Sequence, residues 1–202
     1  MAGAQRIYLE TGQTWVFACS LDWPGWCRRG KGEEPAVEAL LSYAPRYRTA
    51  VGSRFAAGDV EVVGRVDGDA TTDFGAPSAI GAWDHEPLTA EETRRQVGIL
   101  QAAWRAFDDG AAAAPASLRK GPRGGGRDTN QIVDHVREAE RAFASRSGGR
   151  VPPRTPWADQ RALIVETLSS SPAGAKWPAR YALRRMAWHI LDHLWEIEDR
   201  RA

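Results

Sequence analysis

Cysteine and histidine are scarce in this chain of 202 residues, which holds two of the first and four of the second. Two cysteines cannot build a disulfide framework, so small disulfide-stapled secreted folds are excluded and a reducing, cytoplasmic location is expected. No apolar run reaches the ~18–20 residues that span a bilayer, and no membrane segment is expected. Residues 1–18 carry Glu10 and lack a basic-then-apolar layout, so no signal peptide is read there. Net charge is nearly absent at +1, which argues against a chain living on phosphate-backbone contacts and against nucleic acid as its partner. Lysine is almost missing, 3 against 24 arginines, a bias that GC-rich coding produces without any functional demand.

What is present describes a folded chain. Hydrophobic residues at 43% and charged residues at 26% suit a globular protein and not a disordered one. Nine tryptophans, from Trp15 to Trp195, predict a core dominated by aromatic packing. Charge is divided unevenly: residues 1–88 hold 8 basic and 12 acidic groups, residues 89–202 hold 19 and 14. The change coincides with a change of hydrophobic period. Two domains are expected.

The first, over residues 1–66, reads as a ββαβ module of α+β type. Residues 6–10 and 14–20 are short, aromatic and β-branched around Thr11-Gly12-Gln13, which predicts a hairpin. Pro24-Gly25 marks a turn. Val37, Leu40, Leu41 and Ala44 fall at helical spacing between Glu33 and Tyr47, with Pro35 tolerated in the first turn. Residues 60–66 return to strand character. The segment Leu21-Asp22-Trp23-Pro24-Gly25-Trp26-Cys27, then Gly30 and the helix from Glu33, resembles the small HicB-like fold over residues 6–66. That resemblance implies an interaction or regulatory role and a protein partner. Cys19 reads as a strand core residue, and Cys27, beside Arg28 and Arg29, as a candidate for a lowered thiol pKa. Residues 67–88 are polar and without period, and are expected to be a linker.

Proline spacing divides the remainder into helix-sized compartments, because interior proline breaks helices. Thr89-x-x-Glu92 is a capping-box pattern, followed at helical steps by Val97, Leu100, Trp104 and Phe107. A second helix begins at Asp128 or Thr129, a third at Trp157, and a fourth carries Tyr181, Met186, Ile190, Leu194 and Ile197. Four helices over residues 89–202 predict a four-helix bundle, and the chain as a whole is expected to be mainly α.

Three of the four histidines lie in these helices. His189 and His193 are four apart, so both rings project from one face of the fourth helix. That spacing suits two ligands of one ion, and His135 on the second helix could supply a third. Spacing alone serves two readings, a metal site or three satisfied histidines. Glu196 is placed to hold an imidazole or act as a base, and Asp192 has the same option. The competing expectation for Glu196 is an i,i+4 pair with Arg200.

His135-Val136-Arg137-Glu138-Ala139-Glu140, together with His189-Ile190-Leu191-Asp192-His193-Leu194-Trp195-Glu196, resembles the signature of the DinB/YfiT-like helical-bundle superfamily. This superfamily includes mycothiol-dependent maleylpyruvate isomerase relatives and bacillithiol transferases. The resemblance implies a divalent metal, zinc or nickel, held by His135, His189 and His193. It also implies a metal-dependent enzyme that uses a low-molecular-weight thiol such as mycothiol for S-transfer or isomerisation of a small-molecule substrate. Hydrolysis by a metal-activated water, with Glu196 as base, is the other use of such a site. The rival reading is a non-catalytic binding or regulatory protein whose N-terminal module recognises a partner and whose bundle is scaffold. A homodimer through exposed helix faces suits either.

Residues 119–127 carry Arg119, Lys120, Arg123 and Arg127 with no acid, and lead into the helix of His135. Glycines, guanidinium groups and a helix start together suit an anion, which makes Arg123 and Arg127 candidate substrate-binding residues. A solvated loop is the alternative.

Overall fold

The computed structural model describes residues 4–121 and 126–201. It is mainly helical, with one small mixed sheet in the N-terminal third. The sheet is built from β1 (Gln5–Thr11), β2 (Val16–Ser20), β3 (Cys27–Gly30) and β4 (Val60–Asp67), in the order β3-β2-β1-β4. β1 and β2 form the expected antiparallel hairpin, and β2 pairs antiparallel with β3. β4 returns parallel to β1, which requires a crossover. That crossover consists of α1 (Glu33–Ser42) and α2 (Ala44–Val51).

The order expected, strand-strand-helix-strand, therefore needs two corrections. β3 has the sequence Cys-Arg-Arg-Gly, with no strand signal of its own; pairing to β2 creates it. The helix expected from Glu33 to Tyr47 is broken at Tyr43, because Pro45 removes an amide donor and its ring crowds the preceding turn.

Period-2 alternation sends the side chains of β1 and β2 to two covered faces. Ile7, Leu9, Val16 and Ala18 join the main core, while Tyr8, Phe17 and Cys19 join a second cluster with Cys27 and Trp188. Residues 67–88, read as a linker, hold α3 (Ala70–Phe74) and a 3-10 turn at Ala82–His85. Asp69 caps α3 by accepting from the Thr71 and Thr72 amides, and Thr72 and Asp84 are buried.

The helices of the remainder start where capping and proline place them. α4 (Ala90–Ala112) opens on the Thr89/Glu92 box: Thr89 Oγ1 accepts from the Glu92 amide at 3.1 Å and Glu92 Oε2 from the Thr89 amide at 2.8 Å. α5 (Thr129–Arg146), α6 (Trp157–Ser170) and α7 (Ala179–Arg201) follow. α4 and α5 each pack on both α6 and α7.

One continuous core runs from Ile7 through Leu40 and Leu100 to Ile190. The Pro24-Gly25 turn lies directly on α7. Gly25 has φ +89, and a Cβ there would fall 2.9 Å from the Ala187 carbonyl carbon, so glycine is required for both reasons. Among the described residues, no helix is long and apolar enough to cross a membrane.

Candidate metal centre

His135 on α5 and His189 and His193 on α7 converge: one ring nitrogen from each lies within 4.8 Å of the others. Two local facts bring them there. The four-residue step on α7 stacks His189 beneath His193, with ring centroids 4.6 Å apart. Burial of Ile132 and Val136 docks α5 on α7 and turns His135 toward both, at 5.1 Å and 4.9 Å between centroids. His85, the remaining histidine, sits in the 3-10 turn and is not part of the group.

His189 is the deepest of the three at 8% exposure, with Phe143 edge-on at 5.4 Å and Trp188 at 6.3 Å. Burial pushes its imidazole well below the ordinary histidine range, and the nearby His193 and Arg185 act in the same direction. His135 is lowered by burial first, then by His193 and Arg127. Both rings are therefore neutral at pH 7, the form that ligates a metal.

The donor set fits a divalent ion. His135 Nε2 and His189 Nε2 face each other at 3.2 Å. Two nitrogens at ~2.0–2.1 Å from one tetrahedral ion are about 3.3 Å apart. His189 Nδ1 is buried with no hydrogen-bond partner. A cation at the shared nitrogens takes the Nε2 lone pair that otherwise faces only another ring nitrogen, with the proton of the neutral ring on Nδ1.

Glu196 sits beside His193. Its Oε2 lies 2.8 Å from His193 Nδ1, which leaves His193 Nε2 to the cluster, and its Oε1 accepts from Arg200 Nη1 at 2.7 Å. Arg200 is anchored in turn on the carbonyls of Arg119 and Arg127, both at 2.8 Å. The contact with an imidazole and the i,i+4 pair expected for Glu196 are thus both present. Burial pushes the Glu196 carboxyl up, but the bonds to His193 and Arg200 outweigh it and hold the group below its ordinary value. A carboxylate so held is a weak base and a good brace.

Other candidates lie elsewhere. Asp192 is not part of the group and pairs with Arg28 of β3 at 2.9 Å. Arg127 takes part through its carbonyl, and its charge lowers His135 and His189. Arg123 lies outside the described residues. The expectation of an activated Cys27 is overturned: the thiol is buried, 2.7 Å from Cys19 Sγ, and burial pushes its pKa well up. Arg28, which pulls the other way, does not compensate, because burial and the Cys19 contact dominate.

Phe143 and Trp188, which lie against His189, have no recognisable motif in the sequence. Arg28 is 164 residues from Asp192, and no local pattern announces that pairing. No family model, no curated protein and no solved structure matches the chain.

Proposed function

We propose that this protein is a divalent-metal-dependent enzyme of DinB-like type, in which α4–α7 form the four-helix bundle and α5 and α7 hold the ion. The observation that carries this reading is the convergence of three imidazole nitrogens within 4.8 Å, two of them on rings that burial keeps neutral. The positions agree with those that the sequence resemblance implies, one histidine on the second long helix and two on the fourth. Three neutral ligands leave a divalent ion its full charge and a coordination position for a small molecule, the pattern of catalytic sites.

When bound, the ion supplies Lewis acidity and favours the thiolate or hydroxide form of a ligand beside it. The chain does the rest. Glu196 fixes the ring orientation of His193, and Arg200 fixes Glu196 by tying it to the backbone before α5. Phe143 and Trp188 cover the His189 side. The reaction class is transfer or isomerisation that uses a low-molecular-weight thiol, on an electrophilic small molecule.

Elemental analysis of the untagged protein tests the metal directly. About one ion per chain is expected in the parent, and a loss of most of it in His189→Ala and His193→Ala. Equal metal in all three proteins overturns the ligand assignment.

A further inference from the structure

Beside the histidines, on the other side of Glu196, lies a cavity of about 750 Å³. This is within the ~300–1,000 Å³ of small-molecule sites. Its walls come from three separate parts of the chain. β3 contributes Arg28 and Arg29, the segment before α5 contributes Arg119, Lys120 and Gly121, and α7 contributes Asp192, Trp195, Glu196, Asp199 and Arg200. Five basic groups line it with three acids, but the Arg29 guanidinium stacks on the Trp15 ring at 4.6 Å, which leaves Arg28, Arg119, Lys120 and Arg200 to set its charge.

Those acids are already engaged. Asp192 is paired with Arg28, Glu196 with Arg200, and Asp199 with Arg46, which lies outside the cavity wall. The field in the cavity is therefore positive, in a chain whose overall net charge is only +1.

Arg28 is the best prepared of the cations. Its guanidinium lies 3.8 Å above the Tyr43 ring and 5.3 Å from that of Trp195, and Asp192 holds it from the side. Of five N–H donors, the Asp192 bond uses one. A planar donor held rigidly on aromatic faces is what bidentate recognition of a carboxylate or phosphate requires. Glu196 belongs to both places, lining the cavity and touching His193.

We propose that this cavity binds a small organic anion, a carboxylate or a phosphate monoester, and that β3 of the N-terminal module supplies one wall of the site. As the substrate pocket of the histidine centre, the assignment rests on the metal reading above; as an anion site, it stands on the cavity alone. It gives the N-terminal module a role in the same site as α7. It also gives part of the basic segment 119–127 a function, through Arg119 and Lys120.

The test uses the full-length protein and three probes: glutarate, glucose 6-phosphate, and glucose as an uncharged control. Titrations are followed by backbone amide shifts in NMR spectra at low salt. Saturable shifts from at least one anion at millimolar concentration are expected at residues 28–29 and 192–196, and none from glucose. The tighter anion identifies the carboxylate or the phosphate as the preferred group. Arg28→Gln should weaken binding about tenfold, the scale of one charge-assisted hydrogen bond. Arg119→Gln/Lys120→Gln, at two exposed positions, should weaken it several-fold with at most a small fall in melting temperature, since Arg119 gives up one bond to the Asp199 carbonyl. Metal content should be unaffected in both.

No saturable shift from either anion, equal binding of glucose, or parental affinity in both variants overturns the proposal. The two readings fail separately. An anion that binds a parent without metal leaves the cavity standing and removes the metal centre. A metal-loaded parent that binds neither anion removes the cavity.

Discussion

Asp84 and Arg184 form a bidentate ion pair inside the protein, with both Asp84 oxygens within 2.7 Å of Arg184 Nη2. Arg184 Nη1 also donates to Tyr8 Oη at 2.5 Å, so α7, β1 and the 3-10 turn meet at one guanidinium. Asp84 and Arg184 are both buried, at 1% and 7% exposure. Asp84→Ala leaves the Arg184 charge without its partner, and a loss of ~3–5 kcal/mol is expected. Asp84→Ala/Arg184→Met should recover part of that loss, because it removes both charges. Urea denaturation measures each variant; a double mutant as unstable as Asp84→Ala contradicts the explanation.

Metal should stabilise the fold through the histidines. Zn²⁺ or Ni²⁺ at ~100 times its dissociation constant should add about 2.7 kcal/mol to unfolding, seen as a rise in melting temperature. His189→Ala should show no such rise. A shift of equal size in parent and variant would place the ion elsewhere.

The metal-free protein should lose stability in mild acid. His189 and His135 are held below their ordinary pKa, so the folded chain takes up their protons less readily than the unfolded one. Below about pH 6.5 the unfolded state binds more protons, and stability falls as pH drops through that value toward the lowered folded ones. Chemical denaturation at pH 7.5, 6.5 and 5.5 should show the decline, and His189→Phe should flatten it. A pH-independent parent over this range would mean that neither imidazole is held neutral.

Glu196→Gln tests the brace. The amide keeps the size but not the charge, and metal affinity should fall roughly 10–100-fold, the cost of losing a group that orients a ligand. Arg200→Met should weaken affinity less, since Glu196 keeps His193. Unchanged affinity in Glu196→Gln would show that His193 does not depend on its neighbour.

The two thiols should be inert in the folded protein. Cys19 and Cys27 are both buried, and burial pushes the Cys27 pKa well up. Iodoacetamide at pH 8 should label neither until denaturant is added, as read by mass spectrometry. Rapid labelling of Cys27 in the native protein would restore it as a reactive group.

Local physics made much of this molecule legible in its sequence. Capping groups and prolines act within a few residues, so the start of α4 at Thr89 and of α6 after Pro156 could be read without a structure. The four-residue step from His189 to His193 is a property of any helix, and it determined that the two rings share a face. Tertiary packing decided everything between distant segments. β3 has no strand signal and exists because β2 offers it a partner; α2 separates from α1 where Pro45 interrupts the amide ladder. The neutrality of His189 comes from Phe143 and Trp188 lying against it, and the cavity beside Glu196 comes from Arg28 meeting Asp192 across 164 residues. Periodicity reports which face of an element is buried, but not which other element buries it. That choice belongs to the packed chain, because burial and charge pairing depend on neighbours that only the fold brings together.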